Sequence, residues 1–124
     1  MIKITKEQVM IMHSISIKET GGIDGLRDNS LLESALSSIF QTFGGEDLYP
    51  SIEDKAAMLS FSLINNHAFI DGNKRTGILA LVAFLELNGI ILKTTNSELI
   101  ELGLGIASGN INQYKIKEWI IFHS

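Results

Sequence analysis

The sequence predicts an all-α protein, and three observations carry that expectation. Apolar residues recur at helical spacing along most of the chain, helix-capping side chains stand just ahead of those runs, and no long segment alternates apolar with polar residues as a half-buried strand would. A length of 124 residues suits one domain with a sizeable core. A single domain over 1–124 is expected, a compact bundle of about six helices with a short flap loop or hairpin.

Thr5-Lys6-Glu7-Gln8 is a capping-box pattern, with Ile4 and Val9 placed as a hydrophobic staple. The helix it opens should run over roughly 6–18, with Val9, Met12 and Ile15 on its buried stripe. Gly21 and Gly22 end it. Asp28 or Asn29 can cap a second helix, roughly 30–40, whose apolar face carries Leu32, Ala35, Leu36 and Ile39. The stretch from Phe43 to Pro50, with its Gly44-Gly45 pair, is the flap loop or hairpin.

Ser51 caps a helix over about 52–65 that turns Ala56, Leu59 and Leu63 to the core. The next helix, about 73–87, is apolar nearly all round through Ile78, Leu79, Leu81, Val82, Phe84 and Leu85, so it belongs at the centre of the domain. Asn88-Gly89 ends it, and Ile90 to Leu92 reads as a short extended piece. Helices over about 97–108 and 113–122 close the chain. The last is capped by Asn112 and buries Ile116, Trp119 and Ile120.

Composition narrows the function classes. The longest apolar stretch, Gly77 to Leu85, is too short for a membrane span, which takes about 20 residues. The first residues carry no signal-peptide pattern, and there is no cysteine for a disulfide or thiolate site. A cytoplasmic protein is expected. With a net charge of −4, direct nucleic-acid binding, which usually needs a basic face, is not expected. Arg27 and Arg75 are the only arginines, so Lys74-Arg75 reads as a local anion site.

Chemistry concentrates in His67-Ala-Phe-Ile-Asp-Gly-Asn-Lys-Arg-Thr76, a loop that runs into the central helix. The first N–H groups of a helix lack intrahelical acceptors and favour an anion. Two cations in that turn oppose the helix dipole, a cost that a bound anion would offset. Arg75 can contact phosphate bidentately, and Lys74 adds a mobile point charge. Gly72 lets a ligand approach the backbone. Asp71 is an oxygen ligand beside that site, sufficient for Mg²⁺, which takes one or two carboxylates plus substrate phosphates. His67 supplies an imidazole, the side chain suited to taking a proton from an attacking hydroxyl. Phe69 anchors the loop.

Other features have plainer explanations. His13, His123 and Trp119 are read as structural. Gly103-Leu-Gly-Ile-Ala-Ser108 imitates a dinucleotide loop, but it lies within a helical pattern and follows no strand, so its glycines are read as close helix packing. No HExxH, GxSxG or P-loop pattern is present.

The motif resembles HxFxDxNKR(T), the signature of the Doc (death-on-curing) branch of the Fic superfamily. Gly25 to Asp28, Leu31 to Leu36, Thr42 to Pro50 and Phe84 to Gly89 are similar to further stretches of Doc-like toxins. The resemblance implies a compact helical bundle and a toxin of a toxin–antitoxin module. It implies transfer of the γ-phosphate of ATP, with Mg²⁺, to a threonine of elongation factor Tu, arresting translation. It casts His67 as the base, Asp71 as the Mg²⁺ ligand, and Asn73, Lys74 and Arg75 as phosphate-binding residues completed by Gly72. The 43–50 loop falls where the family places a flap that docks the target.

AMP-transferring relatives usually carry Gly at the position of Lys74 and a second Arg at that of Ile78, so both residues favour phosphate over AMP transfer. Leu79 replaces a polar Asn of the Doc pattern and implies a different or weaker hold on the nucleotide. The inhibitory Ser/Thr-x-x-x-Glu-Gly/Asn helix of many Fic proteins has no good match. Thr20 to Gly25 is nearest, with Asp24 in place of Glu. Inhibition is therefore expected in trans, from a cognate antitoxin. AMP transfer to a protein hydroxyl and a catalytically silent Fic-fold binding protein are the competing expectations.

Overall fold

The computed structural model describes residues 1–124. It contains α1 (Lys6–Thr20), α2 (Asn29–Ser38), β1 (Thr42–Phe43), β2 (Glu46–Asp47), α3 (Ile52–Asn66), α4 (Asn73–Leu87), α5 (Asn96–Ala107) and α6 (Gln113–Phe122). Six helices and one two-stranded hairpin make this the all-α bundle that the sequence predicts. No helix is long and apolar enough to cross a membrane.

Local signals set most boundaries. The Thr5–Gln8 capping box opens α1, and Ile4 and Val9 are both in the core. Asp28, rather than Asn29, caps α2 by accepting from the Leu31 N–H. Capping boxes at Ser51–Asp54 and Thr95–Glu98 start α3 and α5, and Asn112 caps α6. After α4 the chain closes a Schellman motif. Gly89, at φ +86°, donates to the Glu86 carbonyl, and Ile90 donates to that of Leu85.

The core is one apolar cluster drawn from all six helices. Its centre is shared: α4 packs on α1, α3 and α5, while α3 reaches α2, α4, α5 and α6. The α3–α4 approach is close, since a Cβ on Gly77 would stand 2.5 Å from Ile64 Cγ1. The hairpin pairs Thr42 with Asp47 and Phe43 with Glu46 across Gly44-Gly45, both at positive φ as a tight turn requires. Buried Lys55 of α3 fastens it by donating to the Tyr49 carbonyl and meeting Asp47 at 3.3 Å.

Two expectations need correction. The buried stripe of α1 is Val9, His13, Ser16 and Ile17 rather than Val9, Met12 and Ile15. Ile15 is 51% exposed, because neighbouring helices cover the face that carries His13. Trp119 is only half-buried, stacked on His123 with ring centroids 3.9 Å apart.

An ion pair between Lys117 and Asp54, 2.9 Å apart, ties α6 to the start of α3. Burial acts to raise the Asp54 carboxyl pKa, but hydrogen bonds with Lys117 and Ser51 outweigh it and hold the group below its ordinary value. A depressed folded-state pKa gives stability that is present above the unfolded carboxylate value and lost as pH falls through the folded one. Asp54→Asn should therefore melt below wild type at neutral pH, with the gap closing on acidification below about pH 4. Melting curves of both proteins from neutral pH down through the carboxylate range test this, and a gap independent of pH would exclude the ion pair as its source.

Candidate active site

The motif forms the junction between α3 and α4. His67 caps the end of α3 at φ 53°, ψ 51°, and it is the only non-glycine residue with positive φ. That left-handed step turns the chain out of α3 and leaves the His67 side chain exposed. Arg27 secures the step, donating from Nε to the His67 carbonyl at 2.7 Å and from Nη2 to the Asn66 carbonyl at 3.2 Å. A cation on the last carbonyls of a helix also complements its dipole.

The loop then rests on the connection between α1 and α2. Leu26 and Phe69 form an isolated antiparallel bridge. The Arg27 and Asp28 N–H groups donate to the Ala68 carbonyl, and Ile70 donates to that of Gly25. The Asp71 carboxylate accepts from Gly72 N–H at 2.9 Å and from Ile23 N–H at 3.3 Å, yet the residue stays exposed. Gly22 suits that position through its φ of +114°, which other residues rarely adopt, and it lets Asp71 approach closely, since a Cβ would stand 2.7 Å from Asp71 Oδ2.

Gly72, at φ 77°, precedes α4, which has no side-chain cap. The N–H groups of Asn73, Lys74 and Arg75 find no acceptor in the chain, while that of Thr76 is already bonded to the Gly72 carbonyl. Lys74 and Arg75 are exposed and form no ion pair with any carboxylate. An uncapped helix start carrying two unpaired cations is a ready anion site.

Asn73 has a different part from the one expected of its side chain. Its Oδ1 accepts from Phe69 N–H and its Nδ2 donates to the Phe69 carbonyl, each at 3.0 Å. Phe69 is buried, so its backbone groups need partners, and Asn73 provides both. Only the Asn73 backbone N–H is left for an anion.

His67, Asp71, Gly72, Asn73, Lys74 and Arg75 all line one cleft of about 710 Å³. It lies where the end of α1, the end of α3, the start of α4 and one face of α5 converge. Its far wall is apolar, with Leu99, Ile100 and Leu104 of α5 and with Leu79, which is 38% exposed. Ile78 is buried, and a Cβ on Gly103 would stand 3.2 Å from its Cγ1, so α5 covers that position. Gly103 thus serves close packing of α5 on α4. A volume of this order, apolar walls and a few converging polar groups are typical of small-molecule sites.

The cleft suits a phosphate-bearing ligand. No cluster of three or more His, Cys, Asp or Glu side chains gathers around a metal position. One exposed carboxylate beside a phosphate site still fits Mg²⁺, which relies on phosphate oxygens and waters for its other ligands. Sequence reasoning missed the supports of the loop: His13, Gly22, Ile23 and Arg27. Arg27 carried the clearest signal, as the only other arginine of an acidic chain.

The sequence model of the Fic/DOC family matches residues 3–85. The chain is 43% identical over 89 residues to "Toxin Doc" of Mycolicibacterium smegmatis, covering 72% of this chain and 66% of that protein. The match therefore spans slightly less than two thirds of the mycobacterial relative. It is 29% identical over 109 residues to "Protein kinase doc" of Escherichia phage P1, covering 88% of this chain and 85% of that one.

Proposed function

The chain belongs to the Fic/DOC family, and on that premise we propose that it is the toxin of a toxin–antitoxin module that transfers the γ-phosphate of ATP to a protein hydroxyl. The proposed target is a threonine of a translation factor, elongation factor Tu. The observation that carries this reading is the uncapped start of α4, where three unbonded N–H groups and two unpaired cations share a cleft with His67 and Asp71. The name of the phage relative, a protein kinase, supports the same direction.

Each residue has a part. His67 accepts the proton of the attacking hydroxyl as its oxygen bonds to the γ-phosphorus. The bond from that phosphorus to the bridging oxygen breaks, and ADP leaves. Arg75, Lys74 and the N–H groups of residues 73–75 hold phosphate oxygens and stabilise charge that develops on them. Asp71 would hold Mg²⁺, which when bound neutralises phosphate charge. Arg27 fixes the backbone from which His67 projects. Lys74 adds bulk and charge where AMP-transferring relatives usually carry Gly, and Ile78, buried against α5, stands where they carry a second Arg.

A groove of about 480 Å³ between α1 and α4, with Ile11 and Leu87 exposed along it, is the proposed seat of the cognate antitoxin. The reaction is tested by incubating the protein, Mg²⁺ and elongation factor Tu in parallel with α-labelled and γ-labelled ATP. Label transferred from the γ position alone is expected. Transfer from the α position would make the reaction AMP transfer and reverse the argument from Lys74 and Ile78.

A further inference from the structure

His13 of α1 has no part in the chemistry above, yet it touches the motif loop at two points. It is 1% exposed. Its ring stacks on Phe69, with centroids 3.9 Å apart and planes at 11°. Its Nε2 lies 2.7 Å from the Asp71 carbonyl oxygen. A carbonyl can only accept, so Nε2 carries the hydrogen and donates. A Cβ on Gly72 would stand 3.5 Å from the same nitrogen. On the opposite side of the ring, Asp24 Oδ1 faces Nδ1 at 3.5 Å.

We infer that His13 is a positioning residue for phosphoryl transfer, holding the Asp71 backbone so that the Asp71 carboxylate and the first turn of α4 keep their places in the cleft. The inference rests on the phosphotransfer reading. The Asp71 carbonyl has no other partner in the chain, so this hydrogen bond is the one polar tie from a helix to that peptide. Packing alone does not require an imidazole here, because an apolar ring would stack on Phe69 equally well. His123 makes the contrast. Its nitrogens also meet a carbonyl and a carboxylate, those of Trp119 at 2.7 Å and Glu98 at 3.1 Å, but it lines no part of the cleft and joins α6 to α5. Small misplacements of a reacting group cost about 10²-fold in rate, so a clamp on the Asp71 peptide acts on turnover.

Two variants of the full chain separate clamp from filler. His13→Phe keeps the stack and removes the donor, whereas His13→Gln keeps an N–H donor at the same reach. Turnover of His13→Phe should fall about 10²-fold, and His13→Gln should recover most of that loss. Wild-type turnover in His13→Phe, or an equal loss in both variants, overturns the positioning role. Amide hydrogen exchange at Ile70 and Thr76 gives a second readout that needs no transfer activity. Exchange should quicken in His13→Phe and not in His13→Gln, with α6 unaffected. A wild-type protein that transfers nothing would refute the phosphotransfer reading, while equal exchange in all three proteins would refute the clamp. If His13→Phe does not fold, His13→Gln decides alone: near-wild-type exchange and turnover support the clamp, and folded but inactive protein overturns it.

Discussion

Replacing His67 with Ala is expected to lower phosphate transfer by about 10²–10⁴-fold, the usual contribution of a positioned general base. His67 is exposed in the cleft, so its loss removes no core packing. Its backbone is left-handed, however, and Ala tolerates that conformation poorly, at about 1–2 kcal/mol. Asn tolerates it better and still lacks the imidazole. His67→Asn is therefore the sharper variant, with matched melting curves and the same drop in rate. Transfer at the wild-type rate in a folded His67→Asn protein would remove the imidazole from the mechanism.

The second large effect is on nucleotide binding. Arg75→Ala should weaken Mg²⁺–ATP binding about 10- to 100-fold, since hydrogen bonds to charged groups contribute about 1.5–3 kcal/mol and each 1.4 kcal/mol is tenfold. Arg75 is exposed and makes no ion pair, so its truncation leaves no buried partner unpaired. Stability should hold while the dissociation constant rises. Calorimetric titration with a non-hydrolysable ATP analogue reads this directly. An unchanged dissociation constant would move the phosphate site away from the start of α4.

The sequence by itself determined the class of the fold, most helix boundaries and the motif residues that line the cleft. These are local matters. A cap such as Thr5 or Ser51 acts on N–H groups two or three residues on, and Asn88-Gly89 acts on carbonyls within the turn before it. The motif was legible for the same reason, because ten consecutive residues cannot lie far apart and a helix start has the same free N–H groups wherever it occurs.

Only the tertiary structure decided which face of α1 is buried, since Ile15 and His13 compete for the core and the outcome depends on what packs opposite. It gave the Asn73 side chain to Phe69, because a buried loop must satisfy its backbone groups before a ligand is considered. It buried Ile78 against α5 and left Leu79 38% exposed, although both line the cleft, a difference between adjacent residues that the all-round apolar pattern of α4 conceals. And it brought His13, Gly22, Ile23 and Arg27 to the motif from about forty to sixty residues away, through hydrogen bonds that each use a backbone atom and, at Gly22, a close approach, none of which a side-chain pattern encodes.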